Sequence, residues 1–102
     1  MEPNFSAEQL AIMSFHEVSG QVLQITIKST GRYFFERVNS TTVHEFEKRG
    51  WDCKVVPYCG ACKPEQINEL VHRGLSVTID GVSTAEFKDL VATPEECLMI
   101  YN

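Results

Sequence analysis

The strongest constraint on the fold is the pattern over residues 21–38. Leu23, Ile25 and Ile27 alternate with Gln24, Thr26 and Lys28, which is the period of a half-buried strand. Ser29-Thr30-Gly31 follows as a turn, with a glycine free to take positive φ. RYFFERV, residues 32–38, is rich in residues that favour strands. The spacing predicts an antiparallel hairpin as part of the main sheet.

The rest of the chain alternates between helix and strand signals. Residues 6–18 carry a Ser6/Gln9 capping box, a Phe5–Leu10 staple and an apolar face of Leu10, Ile12, Met13 and Phe15, and Gly20 is placed to stop that helix. A helix capped by Thr42 and Glu45 runs to Gly50, with Val43 and Phe46 inward. CKVVPY, residues 53–58, is a short strand that Pro57 makes an edge or ends. Pro64 opens a helix whose inner stripe is Ile67, Leu70 and Val71. Leu75, Val77 and Ile79 form a strand, and Asp80-Gly81 a turn. Ser83 and Glu86 cap a helix carrying Phe87, Leu90 and Val91. Residues 97–101 are expected to end the chain as a buried strand; the alternative, if Thr93-Pro94-Glu95-Glu96 caps one more turn, is a final helical turn. The expected fold is α/β or α+β: one domain, 1–102, with an N-terminal helix and a β-hairpin, then alternating helices and strands around one mixed sheet. Its core takes in Leu23, Ile25, Ile27, Phe46, Val55, Ile67, Leu70, Val77, Ile79, Phe87 and Leu90.

Charge narrows the function. The net charge is −5, and residues 52–102 hold four basic against eight acidic side chains. A chain that binds nucleic acid through its phosphates wants a basic face, so no nucleic-acid partner is expected. No apolar run is long enough to span a membrane. The segment MEPNFSAEQL has an acid and no basic start, which predicts a cytoplasmic chain with reduced or metal-bound cysteines. Six of the nine Lys and Arg residues fall between 28 and 54, interleaved with acids. Three consecutive rings, Tyr33, Phe34 and Phe35, must put at least one on the second face of the sheet. Either a helix covers that face or a ring is an exposed contact. Arg32, Tyr33, Phe34 and Arg37 are therefore the candidate partner-binding residues.

The chemistry-bearing stretch is 51–70, WDCKVVPYCGACKPEQINEL, with three of the four cysteines. Three readings of it stand. A C-x-x-C between a strand and a helix can hold a reactive dithiol, because a helix N-terminus favours thiolate. Over residues 53–101 the run VVPYCGACK, a helix ending in Arg73-Gly74 and a strand ending in Ile79-Asp80 resembles the first half of a glutaredoxin or thioredoxin-like domain. That resemblance implies a dithiol oxidoreductase with Cys59 attacking, Cys62 resolving and Pro94 as the cis-proline. The chain departs from the family in stopping where a further strand and helix would follow, and in the acids Glu95 and Glu96 after Pro94. Pro64 also disfavours helical backbone at Lys63, placing Cys62 outside the helix.

The second reading is a zinc-stabilised interaction domain. Its ligands would be Cys53, Cys59 and Cys62, with His72 or Cys97 as the fourth. In the third reading the cysteines are passive: Cys53 and Cys97 lie in the core, Cys59 and Cys62 are loop thiols, and there is no cofactor. No Ser/His/Asp set, paired carboxylates or phosphate loop accompanies them. This third reading leads. It makes the chain a small acidic binding or regulatory protein that acts by protein–protein contact, of the kind that inhibits a larger complex.

Overall fold

The computed structural model describes residues 18–100. Strand β1 is Val18–Thr26 and β2 is Tyr33–Glu36. Helix α1, Ser40–Lys48, leads to β3, Asp52–Gly60. A 3₁₀ turn, Pro64–Gln66, runs into α2, Ile67–Val71. The two-residue strands β4, Thr78–Ile79, and β5, Val82–Ser83, precede 3₁₀ turns at Thr84–Glu86 and Lys88–Leu90. Helix α3 is Pro94–Ile100. The expected helix over 6–18 falls outside the described residues, except that Val18 opens β1. Gly20, expected to stop that helix, sits inside β1 opposite Tyr58.

The fold is α+β, on one five-stranded sheet of order β2-β1-β3-β4-β5. Every neighbouring pair is antiparallel, which corrects the mixed sheet expected from the sequence. The helix–strand alternation after residue 40 does mark a crossover. Strands β2 and β3, joined through α1, run parallel to each other. Strand β1 already lies between them, so no parallel neighbours arise. The one parallel contact among the described residues is an isolated bridge from Tyr33 to Val91.

The hairpin forms as its pattern predicts. Leu23 stands opposite Glu36 and Thr26 opposite Tyr33, and Gly31 takes φ +75° in the turn. As an inner strand, β1 is buried on both faces: Val22 and Leu23 are both fully covered. Val22, Phe35, Val56 and Tyr58 join Ile67, Leu70, Val71, Val77, Ile79 and Val91 on one face. Leu23, Ile25, Ile27 and Phe34 join Phe46, Ala92 and Ile100 on the other. Helix α1 closes that second face, where Phe46 lies edge-on to Phe34, centroids 6.1 Å apart, and stacks on Trp51 at 5.2 Å. Its cap is Asn39 and not Thr42: the Asn39 side chain accepts from the N–H groups of Thr41 and Thr42.

The expectation for β3 is met in part, and two others are corrected. Strand β3 does not end at Pro57 but runs on to Gly60, and it is an inner strand only where β4 pairs with it, at Tyr58 and Cys59. The Pro57 carbonyl accepts from Asp80 N–H at 2.8 Å, so its nitrogen, which has no proton to give, faces the same side, where β4 ends. Among the described residues, those N-terminal to Pro57 form an open edge, as the proline suggested. Val55 and Val56 point to opposite faces there, and Val55 is 45% exposed while Val56 is buried in the core. The helix expected after Ser83 is replaced by two 3₁₀ turns. Buried Thr84 is held from both sides, its N–H donating to the Val77 carbonyl and its hydroxyl accepting from Val77 N–H. Few residues then remain before Val91 must bridge to Tyr33, and Leu90 is left 46% exposed. Lastly, residues 94–100 are helix, not strand. Thr93 and Glu96 form a reciprocal capping box: Glu96 N–H donates to the Thr93 hydroxyl oxygen, and Glu96 Oε1 accepts from Thr93 N–H, both at 3.2 Å.

Candidate functional site

The structure separates the cysteines. Cys53 and Cys97 lie at the margin of the α1-covered core. Cys62 is fully buried in the opposite core beside Tyr58, whose hydroxyl donates to the Cys62 carbonyl and lies 3.4 Å from its Sγ. Cys59 stands opposite Ser19, one position along β3 from Tyr58. Strand alternation therefore turns Cys59 to the sheet face away from Tyr58. The two thiols of C-x-x-C thus leave the chain toward different sides, and Cys59 belongs to β3 where a loop thiol was expected.

The surroundings of Cys53, Cys62 and Cys97 favour the neutral thiol. Burial pushes Cys62 up, partly offset by the Tyr58 hydroxyl. Burial, then Glu47 and Asp52, raises Cys53. Burial, then Glu96 and Glu36, pushes Cys97 up to about 11. Lys63 is extended at φ −76°, ψ 150°, and Pro64 opens the 3₁₀ turn, so Cys62 lies outside the helix as the sequence predicts. Pro94 is the first residue of α3, and no cis peptide occurs among the described residues. The cis-proline that the resemblance implied is absent at this position.

The zinc ligand set does not assemble. Cys53 and Cys97 are divided from Cys62 by the sheet, and the His72 ring is spent on the Val91 carbonyl, Nε2 to oxygen 2.8 Å. Among the described residues no three His, Cys, Asp or Glu side chains are grouped to hold a metal ion.

The expected contact residues divide in the same way. Phe34 is buried against Phe46 and is no surface contact. Tyr33 is half-buried between Phe35 and Phe87. The Arg32 guanidinium is 2.6 Å from Glu96 Oε1, tying the hairpin turn to α3. Arg37 is exposed.

The surface feature that stands out lies elsewhere. Leu98 and Met99 on α3 are 72% and 73% exposed. Met99 lines a cleft of about 310 Å³ with Ile27, Trp51 and Ile100, rimmed by Ser29, Thr30 and Glu96. Helix α3 builds one wall and the hairpin turn the other, and Arg32–Glu96 holds the two together. Arg49 supports the floor: its guanidinium lies 5.7 Å from the Trp51 ring and donates to the Ile100 carbonyl at 2.7 Å. Sequence reasoning missed this cleft because it placed a strand over 97–101. The Thr93/Glu96 capping box was the signal that points to a helix. The half-buried Trp51 and the exposed Met99 thus share a cleft with a polar rim, and Leu98 is exposed next to Met99 on α3.

Comparisons with protein-family models, with curated proteins and with solved structures find no match. No helix among the described residues is long and apolar enough to cross a membrane.

Proposed function

We infer that this chain is a binding protein that works by contact with another protein. The observation that carries this reading is the Trp51–Met99 cleft, with Met99 exposed in its wall and Leu98 exposed next to Met99 on α3. Large apolar side chains at the centre of a polar rim bind by losing contact with water, and aromatic residues supply much of that energy. The net charge of −5 suits a partner with a basic surface around its own apolar anchor. Dithiol turnover by Cys59 and Cys62 is disfavoured, because one thiol is buried and raised and the two are directed to different faces.

The test uses a photo-crosslinking residue in place of Met99, followed by reconstitution with the crosslinked protein in pure form. Leu98→Asp combined with Met99→Asp should keep the wild-type melting temperature and weaken binding at least about tenfold, the effect of losing one good apolar anchor. Cys59→Ser with Cys62→Ser should bind normally. Unchanged binding by the Leu98/Met99 variant, or mixed-disulfide reductase activity that Cys59→Ser abolishes, would overturn the reading.

A further inference from the structure

The open edge of β3 carries a second surface, which shares Trp51 with the cleft. Pro57 turns its carbonyl toward β4. Backbone groups alternate along a strand, so the N–H and C=O of Val55 and Cys53 face the same side. Those of Asp52, Lys54 and Val56 face β1, with which they are paired. Strand β4 reaches only Tyr58 and Cys59. Among the described residues no strand lies beside Cys53 and Val55, and their outward backbone groups have no partner there. Such an edge is a template for another strand.

The side chains along this edge restrict which strand can add. Lys54 is exposed on it, and Pro57 ends it. A strand that places a cation or an apolar residue opposite Lys54 is disfavoured, and one that places an acid there is favoured. The edge itself meets that requirement. In an antiparallel pair centred on Cys53, Asp52 of each copy stands opposite Lys54 of the other. Val55, 45% exposed, then stands opposite the half-buried Trp51 of the second copy, an aromatic and β-branched pair. The run Trp51-Asp52-Cys53-Lys54-Val55 is thus self-complementary in charge and in apolar character about its middle residue.

We propose that the β3 edge is a homodimer interface, in which two copies pair antiparallel about Cys53 and join their sheets. A two-fold axis through Cys53 makes the contact isologous. The Cys53 N–H and C=O groups exchange between copies, and each Val55 N–H donates to the Trp51 carbonyl of the other. Trp51 N–H is already committed to the Phe46 carbonyl at 3.0 Å, so the ladder ends there.

Charge reversal tests the register. Asp52→Lys alone faces lysine with lysine, and Lys54→Asp alone faces aspartate with aspartate, so each variant should sediment as a monomer. An equimolar mixture of the two restores a Lys–Asp pair at both positions and should sediment as a dimer. Both residues are exposed, so the variants should keep the wild-type circular dichroism spectrum and melting curve. In the wild type, the Cys53 and Val55 amides should exchange with deuterium more slowly as protein concentration rises, a readout that needs no variant. Leu98→Asp with Met99→Asp should still dimerise. A wild type that sediments as a monomer at the highest concentration reached would overturn the proposal. So would a dimer insensitive to both charge reversals, or one lost only with the Leu98/Met99 variant.

Discussion

The Asn68 side chain accepts the backbone N–H of Phe35 through Oδ1 at 2.8 Å, and both residues are buried. Its amide nitrogen donates to the carbonyls of Tyr33 at 3.1 Å and Ala92 at 3.0 Å. One side chain on α2 thereby satisfies the outer edge of β2 and joins it to the segment that leads into α3. An edge that would otherwise be open is covered, and the wall of the cleft is placed.

Asn68→Ala should cost about 2–3 kcal/mol, because it leaves buried backbone groups without partners. Asn68→Asp should cost at least as much: it keeps an acceptor for Phe35 but sets carboxylate oxygen against two carbonyls. Urea unfolding of both variants measures this. A midpoint within error of wild type for Asn68→Ala would remove Asn68 from this role.

Gly60 is required by close packing. A Cβ there would lie 2.4 Å from Val77 Cγ1, 2.7 Å from Val77 Cβ and 2.9 Å from the Tyr58 hydroxyl. Gly60→Ala should therefore destabilise the fold by about 3 kcal/mol or more. Adding Val77→Ala removes the nearest atom, so the double variant should lose less than the sum of the two single losses. Strict additivity in a thermodynamic cycle would show that the clash is relieved elsewhere.

Glu96 sets an acid-sensitive joint. Burial alone would raise its pKa, but the Thr93 N–H, the Arg32 guanidinium and the Thr93 hydroxyl together hold it below the usual carboxylate range. A carboxylate lowered in the folded state stabilises the fold above its unfolded pKa, about 4.3. That contribution is lost as pH falls through the folded value. Glu96→Gln should be less stable at neutral pH and should show a shallower loss of stability on the acid side of about pH 4.3. Equal slopes for wild type and variant would exclude Glu96 as the group responsible.

The thiols should react in an order set by burial. Cys62, fully buried, should resist thiol reagents until the protein unfolds, while the half-buried Cys53, Cys59 and Cys97 react earlier. Cys97, pushed up to about 11, is neutral at pH 7 in the folded state. A thiol whose pKa is raised on folding adds stability below its unfolded value, about 8.5, and that stability is lost as pH rises toward the folded value. Cys97→Ala should flatten the fall in stability above about pH 8.5. Metal analysis of the same anaerobic samples should find no stoichiometric zinc. Early modification of Cys62 in the native protein would contradict the burial order.

Local pattern was enough for some elements. Alternation at Leu23, Ile25 and Ile27 and the glycine at 31 fixed the β1–β2 hairpin, because a strand's period and a turn's φ are properties of a few neighbouring residues. Ile67, Leu70 and Val71 were recognisable as an inner stripe for the same reason. Asp80-Gly81 likewise forms its turn with both φ values positive, +52° and +79°. The two sides of C-x-x-C, the exposure of Val55 and Leu90, and the burial of Phe34 were not legible, since each depends on which face another element covers. Whether helix–strand alternation gives parallel neighbours depended on β1 already lying between β2 and β3. Thr84 lost its helix to a tertiary bond with Val77, and Asn68, polar in sequence, became an interior link only once Tyr33, Phe35 and Ala92 were brought around it. Hydrophobic period and turn chemistry act within a few residues and so are written in the chain. Burial, edge closure and the Trp51–Met99 cleft arise between segments far apart in sequence, and only their packing decides them.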